Sequence, residues 1–127
     1  MTRADAADLD DPRLRIRILF GSEAMLGPGK ADLLERIAET GSIAAAGRSM
    51  AMSYKRAWML VEELNGAFRD PLVASSRGGA RGGGARLTPA GETVLAHYRK
   101  LEEIMAEAGA ARIGALRSML RDISDGK

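Results

Sequence analysis

The chain has 127 residues, a formal net charge of +2, and 46% hydrophobic against 28% charged residues, which fits one globular domain with tails and excludes wholesale disorder. It has no cysteine and one histidine, His97, which excludes disulfides, thiolate nucleophiles and cysteine-based zinc sites, so no metal or cofactor is expected. No apolar run is long enough for a membrane span and the first residues do not form a signal peptide, so we expect a cytoplasmic protein.

The start of the chain is acidic. Residues 1–12 hold four acids and one base, a net charge of −3, which leaves +5 for the rest of the chain. The segment also lacks an apolar stretch, and we predict a disordered acidic tail there.

Residues 14–20 predict a half-buried strand. Ile16, Ile18 and Phe20 alternate with two arginines, so the three apolar side chains share one face. The turn-rich GSEAMLGPG follows, with a short return strand around Met25 and Leu26.

Three helices are predicted next. Residues 30–40 space their leucines and isoleucine at helical intervals and end before Gly41, which suits a helix stop. Ser42 caps a short second helix to about residue 50, and Ser53 caps a third helix to about residue 68. The tight connection, with small residues around Gly47 that permit close approach, predicts a helix-turn-helix.

The third helix has a core side and an outward side. Stepping about 100° per residue puts Lys55 and Met59 opposite the apolar stripe, with Arg56 close by and Tyr54 on one flank. The predicted core stripe consists of Ala57, Val61, Leu64 and Phe68. The outward face is therefore basic at its N-terminal end, which suits a helix whose first turns approach DNA.

Two short extended segments, 72–76 and 85–88, flank the glycine-rich RGGARGGG. Glycines of that density cannot hold a helix, and between two strands they predict a flexible hairpin tip. Arg77 and Arg81 lie on that tip and Arg86 on the return strand, where they could lie along a minor groove or its phosphates.

Thr88 and Pro89 then supply an N-cap and a first-turn proline for a long fourth helix. Its apolar spacing resembles a coiled-coil seam interrupted near Gly109 and Gly114, and such a stripe usually covers a partner surface. The predicted dimer interface consists of Tyr98, Leu101, Met105, Ile113, Leu116 and Leu120.

Two stretches of the chain lack acidic residues. One runs between Glu39 and Glu62, and the other between Asp70 and Glu92, and both contain arginines and, in the first, Lys55. Clustered positive charge without counter-charge favours a polyanionic partner, although charge alone fits a merely solvated surface equally well.

The predicted order of strand, helix, helix-turn-helix, two-strand wing and terminal helix is a mainly α (α+β) winged helix-turn-helix fold. Four sequence segments resemble the N-terminal DNA-binding domain of ModE-type, molybdate-responsive transcriptional regulators, which is itself similar to the LysR-type DNA-binding domain. The segments are TGSIAAAGRSMAMSYKRAW, ELN, PLV and GGARGGGARLTPAGETVL. The resemblance covers roughly residues 14–105. One departure is Ala51, where ModE-like sequences commonly carry glycine; a left-handed conformation there costs on the order of 1 kcal/mol.

The resemblance implies a homodimeric transcription factor that binds double-stranded DNA, with Ser53, Tyr54, Lys55 and Arg56 on the family's contacting positions. No counterpart of the family's molybdate-binding domains is found, so molybdate or another oxyanion is not expected as a ligand. We predict residues 1–12 as a tail, 13–88 as the DNA-binding domain and 89–127 as a dimerisation helix. The predicted DNA-binding residues are Ser42, Ser53, Tyr54, Lys55, Arg56, Met59, Arg77, Arg81 and Arg86.

The leading interpretation is a sequence-specific regulator at the bacterial nucleoid, with the third helix in the major groove. Alternatives are a protein-interaction module whose terminal helix recruits a separate effector-sensing subunit, and a non-specific nucleoid-type DNA binder. An enzyme is not predicted, because adjacent pairs such as Glu62 and Glu63 cannot converge on one helix face and His97 has no companions.

Overall fold

The computed structural model describes residues 13–76 and 84–121. Its elements, in chain order, are β1 (Ile18–Phe20), β2 (Ala24–Leu26), α1 (Pro28–Thr40), α2 (Ile43–Ser49), α3 (Tyr54–Ala67), β3 (Val73–Ser75), β4 (Ala85–Leu87), α4 (Pro89–Ala108) and α5 (Ala110–Ser118). Each pair of strands forms its own antiparallel two-stranded sheet. None of the helices in these two ranges is long and apolar enough to span a bilayer.

The first hairpin is shorter than the pattern of residues 14–20 predicted. β1 starts at Ile18 and pairs Leu19 with Met25, and the chain reverses after Phe20 at Gly21, whose φ is +64°. Phe20 was expected on the buried side, but it lies at the end of the hairpin and is 47% exposed. Its ring instead meets that of Phe68 edge-to-face, with 6.5 Å between centroids.

The buried core is built mainly by α1, α2 and α3. α1 starts at a first-turn proline and ends at Gly41, whose φ of 72° is the left-handed cap predicted there. Because burial of a large aliphatic side chain contributes roughly 1.5–3 kcal/mol, this cluster supplies much of the stability. Its members are Leu26, Ala31, Leu33, Leu34, Ile37, Ile43, Ala46, Ala57, Val61, Leu64, Leu72, Val73, Leu87 and Tyr98.

The second hairpin, β3 and β4, is the base of the predicted wing. Val73 pairs with Leu87 and Ser75 with Ala85, and both leucine and valine of the first pair are buried. Arg77 and Arg81, predicted on the wing tip, lie outside the described residues. Arg86, on β4, is exposed.

The first half of α4 belongs to the same compact unit as the preceding elements, residues 16–100. Arg99 pairs with Asp32 and Glu35 of α1 at 2.8 and 2.7 Å. Tyr98 is 1% exposed and its hydroxyl donates to the Ile16 carbonyl. The Tyr98 side chain, which was predicted in a dimer interface, is thus buried within the unit of residues 16–100. That unit also includes residues beyond 88, where the dimerisation helix was predicted to start.

Residues 101–121 belong to a second unit. α4 ends at Ala108, and after Gly109 the chain resumes as α5, so the predicted interruption near Gly109 is confirmed while the helix continues through Gly114. The predicted interface residues Leu101, Met105, Leu116 and Leu120 are 38, 45, 65 and 70% exposed, and Ile113 is half-buried. This unit therefore presents a run of exposed apolar side chains.

Candidate nucleic-acid interface

The connection between α2 and α3 is a tight left-handed turn. Ala51 has a φ of 59°, and the N–H groups of Ala51 and Met52 donate to the carbonyls of Arg48 and Gly47, each at 3.0 Å. A Cβ on Gly47 would lie 3.0 Å from the Cβ of Ala57, so glycine is what lets the two helices approach this closely. The predicted helix-turn-helix is present, and its turn uses the strained alanine anticipated from the sequence.

Two serines cap the helices of this motif. The Ser42 hydroxyl oxygen accepts the Ala45 N–H at 3.0 Å, and the Ser53 hydroxyl oxygen accepts the Arg56 N–H at 3.1 Å. Both caps were predicted, and each satisfies one of the backbone donors that a helix start leaves unpaired. Their proposed contacts with DNA would come in addition to this structural role.

α3 buries one face and exposes the other. Ala57, Val61 and Leu64 are at most 1% exposed, as the apolar stripe predicted. Lys55 and Arg56 are exposed, and Met59 is 44% exposed. The first acidic residue along α3 is Glu62, two turns in, so positive charge and the positive end of the helix dipole coincide at the start of the helix.

Tyr54 and Trp58 form a pair on the flank of α3, one helical turn apart. The Trp58 indole N–H donates to the Tyr54 hydroxyl oxygen, and the two rings meet edge-to-face with 6.3 Å between centroids. Tyr54 is 54% exposed, whereas Trp58 is half-buried and packs against the core. The pair therefore holds a polar group at the surface beside Lys55.

The wing base is attached to the start of the helix-turn-helix. The Ala85 N–H donates to the Gly41 carbonyl at 2.9 Å, and Ser42 is the next residue after Gly41. A shallow groove of about 250 Å³ lies at this junction and is lined by Gly41, Ala74, Ser75, Ser76, Gly84, Ala85 and Arg86. The structure thus brings Arg86, predicted on the wing, to the same junction as the start of α2.

Asn65 is a positioning residue that the sequence analysis missed. Its side-chain oxygen accepts the N–H groups of Leu72 and Val73 at 2.8 and 3.0 Å, and its amide nitrogen donates to the Val73 carbonyl at 3.1 Å. It therefore fixes the start of β3 on α3. The available signal was an asparagine, a poor helix former, next to the buried stripe of a helix.

The acidic residues and His97 are dispersed over the part of the chain that is described. No three His, Cys, Asp or Glu side chains of residues 13–76 and 84–121 are placed to hold one metal ion. Glu63 pairs with Lys30 at 3.1 Å, and His97 is exposed on α4. The described surface offers a cationic start of α3 and, separately, a strand hairpin whose base is bonded to Gly41, just before α2.

Comparison with known proteins also identifies a helix-turn-helix. Residues 30–92 match the family model described as bacterial regulatory helix-turn-helix protein, lysR family. The molybdenum-pterin-binding protein MopB of Rhodobacter capsulatus is 42% identical over 96 residues, 76% of this chain and 34% of MopB. The DNA-binding transcriptional dual regulator ModE of Escherichia coli (strain K12) is 37% identical over 81 residues, 64% of this chain and 31% of ModE.

Among solved structures, the DNA-binding domain of CbnR in complex with DNA matches with a TM-score of 0.54 and 23% identity, over 69% of this chain and 95% of that one. At this identity the likeness concerns the fold, and it confirms the winged helix-turn-helix. The chain spans about a third of the length of the curated relatives it matches.

Proposed function

Residues 30–92 belong to the LysR family of bacterial regulatory helix-turn-helix domains, as the resemblance to ModE-type regulators implied, and from this membership we propose that the chain binds double-stranded DNA as a sequence-specific transcriptional regulator. A relative whose name describes DNA binding and regulation, ModE of Escherichia coli, is similar to 64% of this chain. The proposal extends that activity to the present chain, and it makes the protein a binding protein rather than an enzyme.

The observation that carries the proposal is the start of α3. Lys55 and Arg56 are exposed there, the helix dipole adds positive charge, and Glu62 is the first acid along the helix. A helix that enters a major groove contacts bases and phosphates with its first turns, where this charge lies. Core residues on the opposite face fix the helix in one rotation, so the basic side faces outward.

In the proposed complex, α3 enters the major groove. Lys55 and Met59, opposite the core, contact base edges, and Arg56 binds a base or a phosphate. Tyr54, Ser42 and Ser53 contact the backbone, and Arg77, Arg81 and Arg86 of the wing lie along the minor groove or its phosphates. The hydrogen bond between Ala85 and Gly41 supports this because it holds the wing base to the start of the helix-turn-helix.

The protein is proposed to act as a homodimer through residues 101–121. Leu101, Met105, Leu116 and Leu120 are exposed apolar side chains, and burying such side chains against a second copy removes them from water. Two recognition helices then contact half-sites about 34 Å apart, one helical turn of DNA.

Selection of bound fragments from a random-sequence DNA pool tests the proposal. We expect enrichment of one motif with two half-sites, and affinity that falls roughly 10³-fold or more between 50 and 200 mM salt if six or more phosphates are contacted. Binding without enrichment of any motif would indicate a nucleoid-type role instead.

Failure to bind any duplex would favour the protein-interaction alternative, in which the exposed apolar stripe binds a separate effector-sensing subunit. Light scattering separates the two cases, because a stable homodimer covers the stripe and a monomer leaves it open. Calorimetry with molybdate and tungstate is expected to give no heat, and a measurable heat would assign the chain an oxyanion ligand.

A further inference from the structure

We propose that Trp58 is a positioning residue that orients the Tyr54 hydroxyl as a hydrogen-bond donor to a phosphate oxygen of the DNA backbone. The inference rests on the proposed function and adds to it the direction of one hydrogen bond and the residue that sets it.

The direction follows from the chemistry of the pair. An indole N–H only donates, so in the bond between Trp58 and Tyr54 the hydroxyl oxygen is the acceptor. The hydroxyl keeps one proton of its own, and none of the groups in residues 13–76 and 84–121 accepts it. Tyr54 therefore presents a donor, already polarised by the bond it accepts, at a site that is 54% exposed.

The rigidity of the pair follows from its packing. Trp58 is half-buried against the core, and its ring meets the Tyr54 ring edge-to-face at 6.3 Å. The spacing of four residues places both side chains on one flank of α3. The tyrosine ring is thus held before any DNA binds, which lowers the entropy lost on complex formation.

A phosphate is the acceptor that fits this position. At about 100° per residue, Tyr54 and Arg56 lie on opposite flanks of α3 with Lys55 between them. When Lys55 points to the floor of the major groove, the two flanks of α3 face the two walls of the groove. Those walls carry the phosphates. The positive end of the helix dipole and the neighbouring Lys55 favour an anionic acceptor there.

Three variants of the full chain test the proposal: Tyr54→Phe, Trp58→Phe and both together. The probe is a 30-bp duplex selected from random DNA by the wild-type protein. Tyr54→Phe keeps the ring and removes only the hydroxyl, and we expect roughly ten-fold weaker binding, as for loss of a hydrogen bond to a charged group. Because the lost group is neutral, the salt dependence of binding stays unchanged, whereas Arg56→Ala reduces its slope.

The double variant isolates the role of Trp58. Trp58→Phe is expected to weaken binding about three-fold, and the double variant to bind no more weakly than Tyr54→Phe, because without the hydroxyl there is nothing left to orient. A tryptophan that only packs would give additive losses, and additive losses would overturn the positioning role. Thermal unfolding of each variant separates loss of fold from loss of binding.

The acceptor is identified by changing the DNA. Methylphosphonates placed one at a time along the duplex are expected to include one position at which wild type and Tyr54→Phe bind equally tightly. If the difference instead disappears only with 7-deazapurine bases, the acceptor is a base and the phosphate assignment is wrong. If Tyr54→Phe matches wild type everywhere while Lys55→Ala weakens binding, this inference fails and the proposed function stands; if no variant matters, both fail.

Discussion

Gly91 lies directly against the backbone of Leu72: a Cβ on Gly91 would come within 2.1 Å of the Leu72 carbonyl oxygen, which accepts the N–H of Thr88 at 2.9 Å. The first turn of α4 is packed this closely on the segment that precedes β3. The Thr88 hydroxyl adds to the junction, since it donates to the Pro71 carbonyl at 2.6 Å and its oxygen accepts the Gly91 N–H at 3.0 Å.

Gly91→Ala is therefore expected to destabilise the fold. Its methyl group cannot avoid a backbone oxygen by a change of rotamer, so the chain must shift, at a cost of about 2–3 kcal/mol in the free energy of unfolding. Gly66 provides the matched control, because it lies in α3 and a Cβ there meets nothing within 4 Å. Gly66→Ala is expected to stabilise by about 0.5–1 kcal/mol. Equal effects in denaturant unfolding would contradict the close packing at Gly91.

Ala51→Gly is expected to stabilise the helix-turn-helix. Ala51 has a φ of 59°, a region where L-residues other than glycine are strained by roughly 1–2 kcal/mol, so glycine gains about 0.5–1 kcal/mol after its larger unfolded-state entropy is subtracted. The same substitution at Ala44, inside α2, is expected to cost about 1 kcal/mol. Thermal or denaturant unfolding should show opposite signs for the two variants, and a shared sign would refute the strain.

Asn65→Ala is expected to loosen the wing base. It removes the acceptor for the Leu72 and Val73 N–H groups and the donor to the Val73 carbonyl, leaving half-buried backbone groups unpaired at about 2–4 kcal/mol in total. Amide hydrogen exchange measures this locally, and the N–H groups of Leu72 and Val73 should exchange faster. Asn65→Asp keeps the acceptor and should retain protection of those two N–H groups better than alanine does.

Leu116→Glu is expected to dissociate the proposed homodimer. Leu116 is 65% exposed on α5, and a carboxylate there would have to be desolvated in an apolar interface. Ala111→Glu, about 140° away around the same helix, adds the same charge off the stripe and should leave the dimer intact. Light scattering measures the masses of the two variants. Identical masses would contradict the proposal that the apolar stripe forms the dimer interface.

Arg86→Ala is expected to weaken binding to all DNA sequences about equally. Arg86 is exposed on β4, at the junction of the wing with the start of α2. Loss of one phosphate contact should lower the slope of log affinity against log salt by about one without changing sequence preference. Arg112→Ala, an exposed arginine of α5, serves as the control for charge alone, and an equal change in slope for both would leave Arg86 without a specific contact.

Sequence pattern predicted the parts of the fold that depend on neighbours along the chain. The serine caps at Ser42 and Ser53, the stop at Gly41 and the buried stripe of α3 all follow from residues within one or two turns. Contacts between distant segments were not predicted. The Tyr98 hydroxyl donates to the Ile16 carbonyl, 82 residues away, and such a pairing leaves no trace in the helical periodicity from which Tyr98 was assigned to the dimer stripe.

In the candidate site, too, features set by neighbours along the chain were predicted, and features set by rotamers or by distant segments were not. The basic start of α3 was predicted because exposure follows from being opposite an apolar stripe. The bond from Trp58 to Tyr54 depends on side-chain rotamers, and the anchoring of β3 by Asn65 depends on where the chain returns after α3. Neither is encoded in spacing alone.

The central claim is that the start of α3 reads DNA sequence, and the most direct measurement is the ratio of affinities for the selected duplex and a scrambled duplex of equal length at one salt concentration. Specific binders commonly show ratios of roughly 10³ or more, and Lys55→Ala should lower the ratio about ten-fold or more while changing affinity for the scrambled duplex little. A Lys55→Ala protein that keeps the wild-type ratio would contradict the claim.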